Sequence, residues 1–214
     1  MKRYASVILD ADSTIAGIEG IDWLAARRGS AVQREVESFT TRTMDGDWTL
    51  DEVYPRRLAL VRPDAADLRA LADAYVAAMA PGAADAVAAL QAAGTEVHVV
   101  SGGLRPALLP MTRVLGVPDS RVHAVELAFD ANGRYAGFAP TPLVTQAGKA
   151  AVVGALALPR PVLAVGDGAT DLAMASAVDV FAAYIGFVHR DAVVAGAAFT
   201  LDSFAALVSN ALSA

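Results

Sequence analysis

Three short apolar segments, each followed directly by polar residues, constrain the fold of this 214-residue chain more than any other feature. Residues 4–9 lead into Asp10, residues 96–100 into Ser101, and residues 162–165 into Gly166. Near-continuous apolar runs of this length are typical of strands that are buried on both faces of a parallel sheet. Helical patterns separate the three runs, so the sequence predicts an α/β fold with a doubly wound parallel sheet and right-handed crossovers.

The segment between the first two strands has a different character. Its apolar residues recur at helical spacing over roughly 60 residues, with no convincing strand among them. We therefore expect an inserted helical cap over residues 17–79, and an α/β catalytic core made of residues 1–16 and 80–214. A hairpin is predicted within residues 122–138, because their alternating pattern is interrupted by the turn sequence DANG.

Composition excludes several classes of protein. Hydrophobic residues make up 55% of the chain and charged residues 19%, which argues against disorder. No apolar run approaches the length of a membrane span. The absence of cysteine excludes disulfides, thiol nucleophiles and zinc–thiolate sites, and the net charge of −6 argues against a nucleic-acid partner. We expect a cytoplasmic enzyme that acts on a small molecule, with no membrane partner, and either monomeric or homodimeric.

Four aspartates follow two of the predicted strands. Asp10 and Asp12 come after the first strand, and Asp167 and Asp171 come after the strand at 162–165. Ligands of open α/β sheets bind at the carboxyl ends of the strands, so these side chains are expected at one edge. Without a neutralising charge they would repel one another and raise each other's pKa values. A hard cation with oxygen ligands removes this conflict, which favours Mg²⁺ as the cofactor.

The remaining polar clusters favour a phosphate ligand. Ser101, Gly102 and Gly103 lead into a predicted helix, where free backbone N–H groups bind anions. Lys149 lies at the start of another predicted helix, in a chain whose 17 basic residues include only one other lysine, Lys2. A lysine provides a compact charge beside a phosphate. Because cysteine is absent and the three histidines are scattered, an aspartate that forms an aspartyl phosphate is a plausible nucleophile.

Four motifs in chain order resemble those of the haloacid dehalogenase-type phosphatases. They are DADST at 10–14, SGG at 101–103, Lys149, and GDGATD at 166–171. The flanking segments resemble those of the phosphoserine phosphatases within that family, namely residues 19–22, 44–57, 135–138 and 185–187. The resemblance spans nearly the whole chain and implies a Rossmann-like core.

The resemblance implies a role for each residue of the core motifs. Asp10 is similar to the nucleophile, and Asp12 to the general acid that protonates the leaving oxygen and then serves as the base. Asp10, Asp167 and the backbone carbonyl of Asp12 resemble the Mg²⁺ ligands, with Asp171 supporting them. The residues that resemble a phosphate clamp are Ser101, Gly102, Gly103 and Lys149.

The resemblance also implies substrate-binding residues in the cap. Glu19 is similar to the residue that faces the substrate ammonium, and Arg57 to the one that pairs with its carboxylate, although a shift of one residue to Arg56 stays open. Further pocket residues implied by the resemblance are Met44, Gly46 and Thr170. The sequence departs from the pattern at Leu50, where relatives carry an aromatic residue, and no regulatory domain is expected before the first strand.

The expected activity is Mg²⁺-dependent hydrolysis of O-phospho-L-serine to serine and phosphate, the last step of serine biosynthesis. Two alternatives keep the chemistry: another small phosphomonoester as substrate, or transfer of the phosphoryl group to an alcohol instead of water. A third is a non-catalytic module that binds a phosphorylated metabolite.

Overall fold

The computed structural model describes residues 3–44 and 48–212, the side chains of residues 40–44 excepted. Its centre is a six-stranded parallel sheet in the order β3-β2-β1-β6-β7-β8. These strands are β1 (Ser6–Leu9), β2 (Glu96–Leu104), β3 (Val122–Val125), β6 (Val162–Gly166), β7 (Val180–Tyr184) and β8 (Phe199–Leu201). A separate antiparallel hairpin consists of β4 (Leu127–Phe129) and β5 (Tyr135–Phe138). The prediction of an α/β fold with a parallel sheet is confirmed.

Of the ten α-helices in the described residues, four lie within residues 17–79, after β1, and six lie within residues 80–212, the first of them just before β2. The first group is α1 (Gly20–Arg27), α2 (Ser30–Met44), α3 (Leu50–Val61) and α4 (Ala65–Ala77). The second is α5 (Ala83–Ala92), α6 (Arg105–Val114), α7 (Gly148–Ala155), α8 (Ala169–Leu172), α9 (Asp191–Gly196) and α10 (Phe204–Leu212). Among the described residues, no helix is both long enough and apolar enough to cross a bilayer.

The register of the central strands aligns their carboxyl ends. Leu9 pairs with Val99 of β2 on one side and with Val165 of β6 on the other. The chain leaves β1 toward β2 and β3, and later continues through β6 on the opposite side of β1. This reversal creates a crevice at the carboxyl ends of β1 and β6, the usual ligand site of such sheets. Asp10 and Asp167 lie there.

The two connections between the sheet and helices α1–α4 run side by side. Gly17 N–H donates to the carbonyl oxygen of Ala78 at 3.0 Å, and Ala80 N–H donates to that of Ile15 at 2.8 Å. The helical segment therefore leaves and re-enters the core at one place.

Two details differ from the sequence-based prediction. Val122–Val125 joins the main sheet as an edge strand, and only β4 and β5 form the hairpin around residues 130–133. The SGG segment does not follow a strand but lies inside β2, which continues to Leu104. The pairing of β2 with β3 is irregular between Val100 and Leu104, and glycines tolerate such an irregularity. Helix α6 then begins at Arg105.

Candidate active site

A pocket of about 640 Å³ opens where the carboxyl ends of β1 and β6 face helices α1 and α3. On the sheet side it is bordered by seven predicted site residues, namely Asp10, Asp12, Gly102, Lys149, Asp167, Thr170 and Asp171. On the helical side it is bordered by Glu19, Leu50 and Arg57, among others. The fold thus brings the residues of both predicted groups, core and cap, around one space.

Lys149 is the centre of the charge network on the sheet side. From the first turn of α7, its Nζ lies 2.6 Å from Oδ1 of Asp10 and 2.6 Å from Oδ1 of Asp171. All three side chains are buried. Burial disfavours the ammonium, but the two carboxylates outweigh it and hold the pKa of Lys149 above its ordinary value. Burial and the charge of Asp171 raise the pKa of Asp10, and Lys149 opposes that rise.

Three buried carboxylates, Asp10, Asp167 and Asp171, each place an oxygen within 4.8 Å of the others. Asp10 Oδ1 is buried and receives no directed hydrogen bond from the described residues, despite its proximity to Lys149. Asp171 is different, because its Oδ1 accepts from Lys149 and its Oδ2 from Gly168 N–H at 2.9 Å. An all-oxygen set of this kind suits a hard divalent cation.

Asp167 has two further partners. Thr14 Oγ1 donates to its Oδ1 at 3.3 Å, and Arg190 Nε donates to its Oδ2 at 3.1 Å. Burial, followed by the charges of Asp171 and Glu19, nevertheless raises the pKa of Asp167 to about 6. The three carboxylates Asp10, Asp167 and Asp171 thus face only two cationic side chains, Lys149 and Arg190.

The close packing behind the cluster requires glycine at position 166. A Cβ atom built there would lie 2.2 Å from Cγ of Asp171, far below any van der Waals contact. The last residue of β6 must therefore be glycine for Asp171 to reach Lys149.

Asp12 lies beside Asp10 but has separate partners. Its Oδ1 accepts a hydrogen bond from Tyr75 O–H at 2.5 Å and another from Gly20 N–H at 3.1 Å. Burial and the nearby charge of Glu19 raise the pKa of Asp12 to about 7, against the opposing effect of these two donors. A carboxyl with a pKa near neutrality can both donate and accept a proton at physiological pH.

The SGG segment forms the next part of the pocket wall. Gly102 borders the pocket, and its carbonyl oxygen accepts a hydrogen bond from Tyr54 O–H at 2.7 Å. Ser101 is fully buried, and its Oγ accepts from Gly103 N–H at 2.9 Å, which leaves its own O–H free to donate. Tyr54 in α3 thus ties the helical segment to the sheet at this point.

On the helical side, Arg57 rather than Arg56 borders the pocket. Arg57 donates to Asp22 at 2.5 Å, while its Nε is buried without a hydrogen-bond partner in the described chain. Arg56 lies over the ring of Trp48, 4.5 Å from its centroid. Glu19 also borders the pocket and accepts a hydrogen bond from Ser13 Oγ at 2.7 Å.

Of the remaining predicted residues, Thr170 borders the pocket at the start of α8. The side chain of Met44 and the whole of Gly46 lie outside the described residues.

Sequence reasoning missed several residues at this site: Tyr54, Tyr75, Gln146 and Arg190. The helical spacing of Leu68, Leu71 and Tyr75 indicates that Tyr75 is buried, but it does not identify the partner of the hydroxyl. Arg190 reaches Asp167 from 23 residues away, and no local pattern indicates that contact.

Comparison with known proteins gives a consistent result. A family model described as haloacid dehalogenase-like hydrolase matches residues 7–176. A phosphoserine phosphatase of Rattus norvegicus is 33% identical over 96% of this chain and 92% of its own length. A chloroplastic phosphoserine phosphatase of Arabidopsis thaliana is 32% identical over 98% of this chain and 72% of its own length.

Solved structures share the fold. A phosphoserine phosphohydrolase-like protein from Francisella tularensis superposes with a TM-score of 0.84 at 24% identity, covering 98% of this chain and 99% of that chain. A substrate-bound phosphoserine phosphatase superposes with a TM-score of 0.77 at 21% identity, covering 95% of each chain. At these identities the likeness concerns the fold alone.

The raised pKa values of Asp12 and Asp167 predict a pH-dependent stability. Both carboxyl groups bind protons more tightly in the folded than in the unfolded chain. Their protonation therefore stabilises the folded chain fully below about pH 4, and this stabilisation is lost as the pH rises through 6 to 7. We therefore expect an Asp12→Asn/Asp167→Asn variant to gain stability relative to the wild type between pH 5 and pH 8. The expected gain is roughly 1–3 kcal/mol in the free energy of unfolding, measured by denaturant titration in EDTA.

The matched control is Asp85→Asn, which changes an exposed aspartate of α5 far along the chain from both sites. Its stability relative to the wild type should be the same at both pH values. A double variant that loses stability relative to the wild type as pH rises would contradict the assignment.

Proposed function

The chain belongs to the haloacid dehalogenase-like hydrolase family, and we propose that it hydrolyses O-phospho-L-serine to L-serine and phosphate through a phosphorylated Asp10. One observation carries the proposal: a single pocket joins the buried Asp10–Lys149–Asp171 cluster to a facing wall that contains Glu19 and Arg57. The cluster has the lysine and the carboxylates that a phosphate with its cation would need. The facing pair offers one negative and one positive charge, which suit the ammonium and the carboxylate of an amino acid. The names of the relatives, phosphoserine phosphatases, support the same substrate.

The carboxylate cluster fits Mg²⁺, because its oxygens are close together, buried and incompletely neutralised. We propose that Asp10, Asp167 and the backbone carbonyl of Asp12 hold the ion. Asp171, with both oxygens already engaged, supports Lys149 and the shell from behind. When bound, the ion neutralises the carboxylates and the phosphate, so that an anionic nucleophile can approach an anionic ester.

In the first step, Asp10 attacks phosphorus and the bond from phosphorus to the serine oxygen breaks. Lys149, the Ser101 hydroxyl and the backbone N–H of Gly102 hold the phosphoryl oxygens and stabilise their charge. The expectation that Gly103 also binds the phosphate is corrected, because its N–H already donates to Ser101 Oγ. Asp12 donates its proton to the serine oxygen as that oxygen leaves. The products are free serine and the aspartyl phosphate of Asp10, which is an acyl phosphate.

In the second step, Asp12 acts as the base. Its carboxylate takes a proton from a water molecule, whose oxygen attacks phosphorus, and the bond from phosphorus to Asp10 breaks. Inorganic phosphate leaves, and Asp12 is again protonated. The pKa of about 7 for Asp12 matches this double role, since neither protonation state is costly at neutral pH.

Substrate selection is assigned to the helical side of the pocket. We propose that Glu19 pairs with the substrate ammonium and Arg57 with the substrate carboxylate, for which the planar guanidinium is suited. The position of Arg57 on the pocket wall supports this assignment. Met44, Gly46 and Thr170 are proposed as further contacts, and Leu50 contributes an apolar wall.

Residues 17–79 are proposed to act as the cap of residues 1–16 and 80–214. Closure of the cap over the substrate would exclude bulk water from the phosphorylated aspartate, and opening would release serine. The proposed setting is serine biosynthesis in the cytoplasm.

The direct test is phosphate release from a panel of small phosphomonoesters, first with Mg²⁺ and then with EDTA. We expect release to require Mg²⁺ and to be fastest with L-phosphoserine. Mg²⁺-dependent release with another ester preferred would refute the Glu19 and Arg57 assignment but not the core chemistry. An alcohol acceptor that diverts the phosphoryl group would favour phosphotransfer, and no release from any ester would favour a binding module.

Asp10→Asn should abolish turnover while the fold survives, because the amide cannot form the aspartyl phosphate. We expect the rate of phosphate release to fall below about a hundredth of the wild-type rate, with an unchanged thermal transition as the check on folding. Asp85→Asn, at an exposed position of α5, is the control and should retain the full rate. A higher residual rate in Asp10→Asn would exclude Asp10 as the nucleophile.

Arg57→Ala tests the proposed amino-acid site. We expect kcat/KM for phosphoserine to fall by roughly 100-fold, as expected for loss of a charged, bidentate contact, with little change for p-nitrophenyl phosphate. Arg56→Ala is the matched control, because Arg56 is the adjacent arginine and lies over Trp48 instead of the pocket. Equal losses in the two variants, or equal losses on the two substrates, would contradict the role of Arg57.

A further inference from the structure

Asp12 belongs to the core, but the hydrogen bonds it receives come from the helical segment. Within the described chain, the two donors are Gly20 N–H, at the start of α1, and Tyr75 O–H, near the end of α4. The first and last helices of the segment therefore both reach the same carboxylate oxygen, Oδ1.

This contact is tightly constrained by packing. Tyr75 is fully buried, and its hydroxyl oxygen lies 2.5 Å from Asp12 Oδ1. A Cβ atom at position 20 would lie 2.1 Å from that hydroxyl oxygen, so only glycine leaves room for it. Gly20 thus has two roles: its N–H is one of the two donors, and its lack of a side chain leaves room for the other donor, the Tyr75 hydroxyl.

The two carboxylate oxygens of Asp12 differ in their hydrogen bonds, because both donors bind Oδ1. A carboxylate oxygen has two lone pairs, and both of those on Oδ1 are used by Tyr75 and Gly20. Oδ2 receives no hydrogen bond from the described residues, and it lies 3.2 Å from the position that a Cβ of Gly103 would take, beside the phosphate-binding segment. The proton of the acid is thereby directed to Oδ2.

We propose that Tyr75 is a positioning residue which, together with Gly20 N–H, holds Oδ1 of Asp12 so that Oδ2 presents its proton to the leaving oxygen of the substrate. The inference rests on the proposed phosphatase activity and concerns only the acid step. The inference has a selective consequence. Removal of the Tyr75 hydroxyl should lower the rate more for a substrate whose leaving group must be protonated than for one whose leaving group need not be.

Two substrates separate this role from a general structural one. Phosphoserine must lose a strongly basic alkoxide, which requires protonation as it leaves, whereas p-nitrophenyl phosphate loses a stable phenolate. The ratio kcat/KM reports the steps up to the departure of the leaving group. A misplaced acid therefore lowers kcat/KM for phosphoserine only, and a damaged pocket lowers it for both esters.

The experiment is Tyr75→Phe, which keeps the ring and removes only the hydroxyl. General acid catalysis contributes about 10²- to 10⁴-fold, so we expect partial misplacement to lower kcat/KM for phosphoserine by roughly tenfold. For p-nitrophenyl phosphate we expect a change of less than about twofold. The matched control is Tyr4→Phe, which removes another buried hydroxyl, one without a hydrogen-bond partner in the described chain, and should change neither value.

A second measurement asks whether Tyr75 acts through Asp12. In an Asp12→Asn background, Tyr75→Phe should lower kcat/KM for phosphoserine no further, because the acid is already absent. Gly20→Ala, which displaces the hydroxyl, should reproduce the substrate-selective loss of Tyr75→Phe. Thermal denaturation verifies that each variant is folded.

Each result is decisive. Loss on phosphoserine alone, absent in the Asp12→Asn background, supports the inference. Equal losses on the two esters, no loss on either, or an additive loss in the double variant would overturn it while leaving the phosphatase assignment intact. If the wild-type protein hydrolysed neither ester, both the proposed function and this inference would fall.

Discussion

The buried ammonium of Lys149 is the interaction on which the rest of the site depends. Asp10 and Asp171 both lie 2.6 Å from it, out of contact with bulk water. Two buried carboxylates without a cation would carry a large desolvation and repulsion cost, so the cluster exists because Lys149 is present. Once Asp167 and its partner Arg190 are included, three carboxylates still face only two positive charges, which is the electrostatic reason that the site suits a divalent cation.

The sheet supplies the precision that this charge network needs. The in-register pairing of β1 with β6 places Asp10 and Asp167 at the same edge, and glycine at 166 lets Asp171 approach to hydrogen-bond distance of Lys149. These positions are fixed by backbone pairing and by close packing, not by flexible surface loops. Small errors in such a site would reduce activity strongly, which explains why it is built on the central strands of the core.

Much of this arrangement could be predicted from the sequence, because the core motifs directly follow the apolar strands that position them. The parallel sheet follows from alternating strand and helix patterns, and the meeting of Asp10 and Asp167 from the rule that strand ends share an edge. Contacts between distant segments could not be predicted. Tyr75 reads as a core residue, Arg190 as a surface charge, and the extension of β2 through Ser101 depends on pairing with β3.

The division between core and helical segment also divides the chemistry. The groups that we propose to act on phosphorus, such as Asp10 and Lys149, belong to the core, so in this proposal the transfer of the phosphoryl group depends little on what the phosphate is attached to. The groups that we propose to face the remainder of the substrate, such as Arg57, border the pocket from the helical segment. Asp12 lies between them, because it is a core residue whose hydrogen-bond donors lie in α1 and α4. If Asp12 is the acid that we propose, the release of the leaving group is the step in which the two parts of the chain act together.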